Sequence, residues 1–285
     1  RLYRTVENID PKKRETLIAS GVAPLQGIEE TLDALAGAAK YGARREYVMA
    51  SNSLDDLRLP PVPPMSGNPE TLDEWQGKQL IREAGISVPE GRRCDGASAP
   101  AAAEEIGFPV VVKLVSALLP HKTEAGAVKI GLQNGMQVAE AVKEIAASVA
   151  DYAPDVVCEE YLVERMAAKP VAELVVGIQN DPQFGQTLII GTGGTLVELV
   201  RDAKTLLLPT DRQTVSNTVS SLKISMMIDG YRGQAAGDRE ALIDAIMNLT
   251  RFAAANRGKL AELDINPLMV LEQGVCAVDV LMRMR

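Results

Sequence analysis

One histidine, His121, serves all 285 residues, and the three cysteines, Cys94, Cys158 and Cys276, are far apart and form no CxxC pair or ligand set with it. A Cys/His metal site is therefore not expected, and the cysteines read as reduced thiols. No stretch approaches the roughly 18 uninterrupted apolar residues of a membrane helix, and no charged segment followed by an apolar one opens the chain. The expectation is a cytoplasmic protein without a membrane partner. Basic charge is in deficit, with 30 Lys and Arg against 38 Asp and Glu and a net charge of −8, which argues against a nucleic-acid binder because that affinity rests on a basic face. A Walker loop, GxxxxGK[ST], is absent. The turn "GTGG" places Gly191, Gly193 and Gly194 after an apolar run but has Leu196 where a dinucleotide fingerprint wants glycine. It reads as a turn for close packing or for an anion.

What is present is an ordinary globular composition, 46% hydrophobic and 24% charged, over a length that suggests more than one unit. "ETLIASGVAPL" reads as a helix closed by Gly21, and Glu29–Tyr41 as another with Leu32, Leu35 and Ala39 on one face. Two helices and a short extended segment rarely bury a core, so residues 1–56 are expected to be the tail of a larger domain. "LRLPPVPPMSGNP", residues 57–69, is proline-dense and predicts a semi-rigid linker. Beyond it, Thr71 with Glu74 predicts a capping box, and Leu72, Trp75 and Leu80 an apolar stripe, of a helix stopped by Gly85. "ISVPEG" reads as a short strand or exit loop, and Ser98–Ile106 as a small helix.

"FPVVVKLV" and "GAVKIGL" predict strands, and Gln137–Val149 an amphipathic helix. "DVVCEEYL", "VAELVVGIQN" and "QTLIIGTGG" predict further strands, the latter two joined by "DPQFG". Thr210 and Asp238 each read as a helix cap, and "LAELDINPLMVL", "EQG" and "VCAVDVLM" as a closing hairpin. Adjacent strand pairs mixed with helices give an α+β fold with antiparallel pairs.

Three features carry chemistry. Lys113 alternates onto one face with Val111 and Val115 and reads either as an edge lysine reaching water or as a fixed cation for a phosphate or a base. In "HKTEAGAVK", His121, Lys122 and Thr123 offer a nucleophile or proton carrier, a cation and a hydroxyl, and Gly126 permits a tight turn; a solvated loop is the bland alternative. In "LAELDIN", Glu262, Asp264 and Asn266 share one strand face, and a turn near Glu272 brings Asp279 opposite Asn266. These oxygens suit Mg²⁺, or form a solvated polar face.

Taken in order, "FPVVVKLVS…LPHKTEAGAVKIGL", "AELVVGIQNDPQFG", "GTGGTLVELVRD", "GYRG" and "AELDINPLMVL" resemble the ATP-grasp part of ADP-forming acyl-CoA synthetases, relatives of the succinyl-CoA synthetase β subunit. The resemblance runs from about residue 68, and "GVAPLQGIEETLDALAGAAKYG" resembles the end of the CoA-ligase domain that precedes ATP-grasp in fused members. It implies an ATP-grasp fold over 70–285, with a small lobe of about 92–157 and a large lobe of 70–91 plus 158–285. The implied reaction joins a carboxylic acid and CoA at the expense of ATP, giving acyl-CoA, ADP and phosphate through phosphohistidine and acyl phosphate. It also implies that Lys113, with Lys122, Thr123 and the turn at Gly126, holds the phosphates. Glu159, Glu160, Tyr161 and Leu162 would read the adenine, Asn266 and Asp279 would hold Mg²⁺ with Asp264 as ligand or support, and His121 would accept the phosphoryl group. Arg232 is implied only as a phosphate contact. CoA and the acid would be handled by domains outside this chain, in an oligomer. A carboxylate–amine ligase of the same fold, or an idle nucleotide-binding module, are the other readings.

Overall fold

The computed structural model describes residues 9–25, 27–50, 67–119, 122–181, 183–194 and 202–285. The chain forms two compact units, Arg1–Leu59 and Pro60–Arg285. Of the expected linker, residues 57–66 lie outside the described residues.

The first unit contains α1 (Pro11–Ala19) and α2 (Ile28–Ala50). Asp10 caps α1, its carboxylate accepting from Lys12 N at 2.9 Å, and Pro11 stands where a helix needs no amide hydrogen. Gly21, at φ +74°, ends that turn. No residue of α1 is buried, and Leu32 and Leu35 of α2 are exposed. α2 continues past the expected end at Tyr41, because Gly42, like Gly37 before it, costs only about 1 kcal/mol in a long helix.

The second unit is built on two sheets whose pairs are all antiparallel. The smaller has the order β2 (Gly91–Asp95), β5 (Glu160–Arg165), β3 (Val110–Leu114), β4 (Val128–Leu132). Period-two alternation turns Val110, Val112 and Leu114 of β3 toward α4 (Ala99–Ile106) and α5 (Gly135–Tyr152), where Ile145 and Val149 complete a dry core. Lys113 is left on the opposite face.

The larger sheet runs β1 (Glu70–Leu72), β11 (Val280–Met284), β9 (Leu260–Val270), β6 (Ala172–Asp181), β7 (Gly185–Thr192), β8 (Ala203–Leu207), with β10 (Val275–Ala277) also on β9. One face, through Leu174, Val176, Ile178, Leu263 and Ile265, packs against α6 (Arg212–Ser220), α7 (Ser225–Ile228) and α8 (Arg239–Ala255); α3 (Glu74–Glu83) lies against β11.

Several expectations shift in detail. The cap of α3 is Asp73, paired reciprocally with Gln76, and that of α6 is Asp211, accepting from Thr214 N at 2.8 Å. In both cases the stronger aspartate acceptor displaces the threonine named from sequence. The buried stripe of α3 is Glu74, Gly77, Lys78 and Ile81, not Leu72, Trp75 and Leu80. Of the two readings of "ISVPEG", the exit loop holds over 86–90, and β2 begins at its last residue, Gly91. The strand read from "DVVCEEYL" starts at Glu160 and belongs to the smaller sheet, whereas the implied lobe boundary put it in the larger one. The closing hairpin returns as two strands separated by Val278 and Asp279, with the register carried across the gap from Ala277 opposite Leu268 to Val280 opposite Ile265; the bulge at Pro267 lies on the other side, in the ladder with β6. Asp279 stands in the resulting break, its carbonyl accepting from Asn266 N at 3.3 Å.

Candidate active site

The faces of the two sheets that carry no helices meet across a cavity of about 270 Å³. β3 and β4 contribute Val111, Lys113, Val128 and Ile130, and the larger sheet contributes Asn266, Pro267, Met269, Val278 and Asp279. Thr123 also lines it, as do Glu164, Arg165, Met166 and Ala167, where the chain leaves β5 and crosses toward the larger sheet. That crossing segment is fixed by its backbone, Arg165 N donating to Glu90 O at 2.8 Å and Met166 N to Pro109 O at 2.9 Å. Part of the lining is therefore apolar, and part is ionic.

The ionic part is a buried cluster. Lys113 Nζ donates to Glu74 Oε1 and to Val278 O, both at 2.6 Å, and lies 3.1 Å from Glu164 Oε2. Lys78 Nζ donates to both oxygens of Glu164, at 2.6 and 2.7 Å, and lies 2.7 Å from Glu74 Oε1. Lys122 Nζ is 3.1 Å from Glu74 Oε2 and 3.9 Å from Asp279 Oδ1. Glu74, Lys78 and Glu164 are each no more than 2% exposed, so these charges persist only because they compensate one another. Burial alone would raise the Glu74 carboxyl, but Lys113, Lys78 and Lys122 override it and hold Glu74 well below the usual carboxylate range. Burial alone would lower Lys113, but Glu74, Glu164 and Asp279 override it and keep this ammonium protonated well beyond the ordinary lysine range.

The oxygen face beside the cluster has the opposite character. Burial, then the neighbouring Glu262 and Asp279, push the Asp264 carboxyl up to about 6. Asp279 is pushed up as well, first by burial and then by Glu74, against the pull of the lysines. The Asn266 carboxamide oxygen accepts from Gly194 N at 3.2 Å, which brings the glycine turn to the same place. Among the described residues no group of three His, Cys, Asp or Glu side chains converges as a closed metal cage. Two carboxylates that repel each other and one carboxamide do fit a hard, oxygen-seeking cation that takes its remaining ligands from water and phosphate.

Of the residues named from sequence, the cavity gathers Lys113, Thr123, Asn266 and Asp279. Lys122 joins through Glu74, and Asp264 sits on the same strand face but does not line the cavity. Gly126 adopts φ +64° in the β3–β4 turn, and its missing Cβ leaves room for Ser148 of α5 rather than for a ligand. Glu159 to Leu162 do not line the cavity: Glu160 pairs with Arg93, and Tyr161 and Leu162 are buried. The segment that lies against the cavity comes later, at Glu164–Ala167. Arg232, at φ +51° and stacked on Tyr231 at 5.2 Å, is exposed and away from the cavity. His121 lies outside the described residues.

Sequence reasoning missed Glu74, Lys78 and Glu164. The signal was the stripe at 74, 77, 78 and 81, which is helical in spacing but half charged and so reads as solvent-facing.

An ATP-grasp domain profile matches residues 65–284. The chain is 35% identical over 237 residues to a prokaryotic trans-feruloyl-CoA synthase, covering 82% of this chain and 33% of that one. It is 33% identical over 210 residues to the β subunit of ADP-forming acetate–CoA ligase I of Pyrococcus furiosus, covering 73% and 89% respectively. A solved structure of acetyl-coenzyme A synthetase 1 from Candidatus Korarchaeum cryptofilum, in complex with coenzyme A and Ca-AMPCP, aligns with a TM-score of 0.72 at 34% identity, over 76% of this chain and 94% of that chain. The chain thus spans about a third of the length of the synthase and most of the length of the subunit. Among the described residues no helix is long and apolar enough to cross a membrane.

Proposed function

The chain belongs to the ATP-grasp domain family, and on that premise we propose that it is the ATP-binding, phosphoryl-transferring part of an ADP-forming acyl-CoA synthetase. The whole reaction would convert a carboxylic acid, CoA and ATP to acyl-CoA, ADP and phosphate. The parts that bind CoA and the acid would be supplied by other domains or subunits, residues 1–56 being the end of one of them. The observation that carries this reading is the cavity between the sheets, whose lining combines Val111, Val128, Ile130 and Met269 with Lys113, Asn266 and Asp279.

Phosphoryl transfer needs positioning and charge neutralisation more than covalent work by the protein. The base would lie between Val111, Val128 and Ile130 on one side and Met269 on the other, against the backbone at Arg165–Ala167. The Lys113 ammonium, protonated at every working pH, would face the phosphates, with Lys122 behind it. Asn266 and Asp279 would hold Mg²⁺, with Asp264 supporting, and the cation would supply charge neutralisation to the phosphate oxygens. His121, the chain's one imidazole, would accept the phosphoryl group on a ring nitrogen as ADP leaves.

Calorimetric titration with Mg-ATP, combined with incubation in γ-labelled ATP, tests the reading. The wild type binds and acquires acid-labile label; Lys113→Met and Asp279→Asn weaken binding about tenfold or more, by the scale of a lost charge-assisted contact; His121→Ala binds but stays unlabelled. Binding that none of these substitutions alters would refute it.

A further inference from the structure

We propose that Glu74 is a positioning residue for this site: its single carboxylate fixes the ammonium groups of Lys113 and Lys122 at the cavity edge. The proposal rests on the nucleotide reading above. Glu74 projects from the first turn of α3, a helix seated on β11 of the larger sheet, whereas Lys113 stands on the smaller sheet and Lys122 in the β3–β4 turn. One side chain thus references both lysines to the sheet that carries Asn266 and Asp279. Its oxygens divide the work. Oε1 accepts from Lys113 at 2.6 Å and lies 2.7 Å from Lys78, and Oε2 is paired with Lys122 at 3.1 Å by charge, without a hydrogen bond.

A lysine has four rotatable bonds and three donors, so nothing intrinsic fixes where its charge sits. Lys113 is held because two of its donors are directed, to Glu74 Oε1 and Val278 O, with Glu164 Oε2 3.1 Å away as a charge contact, which leaves a third donor for a phosphate. Lys78 serves a different purpose. It lines no part of the cavity, is 1% exposed, and is spent wholly on Glu74 and Glu164. Without it two buried carboxylates would face only the two lysines needed at the cavity. Charge balance and lysine placement are therefore separable, because a variant lacking both Glu74 and Lys78 removes one charge of each sign and keeps the balance while losing the clamp.

The experiment compares Glu74→Gln, Lys78→Met, the double variant Glu74→Gln/Lys78→Met, and Glu74→Asp, each by thermal midpoint and by Mg-ATP titration. Glu74→Gln is expected to lower the midpoint and weaken Mg-ATP by about tenfold to a hundredfold, the range for hydrogen bonds to charged groups. The double variant is expected to regain most of the midpoint while its affinity stays at least about tenfold below wild type. Recovery of affinity together with stability would overturn the proposal, since Glu74 would then only balance charge. Should the glutamine variants not fold, Glu74→Asp keeps the charge and withdraws it by one carbon: weakened binding at a near-unchanged midpoint supports positioning, and wild-type affinity overturns it. If the wild type and Lys113→Met bind Mg-ATP alike, it is the nucleotide reading that fails.

Discussion

Replacing Asp264 by Asn should stabilise the protein in the absence of metal, an unusual sign for a polar strand residue. The carboxyl of Asp264 is pushed from an ordinary 3.8 up to about 6 by burial and by Glu262 and Asp279. The folded state therefore holds this proton more tightly than the unfolded chain, and stability falls as pH rises from about 4 through 6. At 1.36 kcal/mol per pH unit the full shift corresponds to about 3 kcal/mol, and because the side chain is only partly buried the screened value is nearer about 1–2 kcal/mol. The isosteric substitution Asp264→Asn removes that penalty. In a unit of this size its midpoint at pH 8 should rise by roughly 2–8 °C, at about 2–4 °C per kcal/mol. Denaturation of both proteins at pH 5 and pH 8, in chelator, reads the difference, which should shrink toward acid. A variant less stable than wild type at pH 8, or a gain equal at both pH values, would refute the reasoning. With Mg²⁺ and nucleotide the ranking should narrow or invert, because a cation removes the repulsion that made the aspartate costly.

Gly193→Ala should be poorly tolerated: an added Cβ would lie 2.3 Å from Leu174 C and 2.6 Å from Leu174 O, which are backbone atoms that cannot step aside. Urea denaturation should give a loss of about 1–3 kcal/mol or more, with nucleotide affinity falling as the Gly194–Asn266 contact shifts. Ile145→Ala, at a fully buried position of α5, should cost about 2–5 kcal/mol in the same assay. Lys78→Met alone leaves Glu74 and Glu164 with one ammonium fewer and should cost about 3–5 kcal/mol, a midpoint drop readable by circular dichroism.

The strands were legible wherever their chemistry was uniform. "VVVKL" and "AELVVGIQND" are β-branched or alternating, and they fold as β3 and β6. The pairing of Asn266 with Asp279 was legible too, since a short turn fixes register, although the gap at Val278–Asp279 that divides the returning strand was not. The ion cluster was illegible for a different reason. Glu74, Lys78 and Glu164 are ordinary surface residue types, and only the meeting of α3, β3 and β5 makes them interior; no local pattern carries information about partners 86 residues apart. The residues lining the cavity at Arg165–Ala167 escaped for a related reason: they act through where the chain crosses between sheets rather than through side-chain type.

The most direct measurement is a crystal structure of this chain with Mg²⁺ and a non-hydrolysable ATP analogue. The account predicts the base between the sheets against Arg165–Ala167, the phosphates within hydrogen-bond distance of Lys113, and the cation on Asn266 and Asp279. Nucleotide bound elsewhere, or phosphates pointing away from Lys113 with Asp279 free of metal, would contradict it.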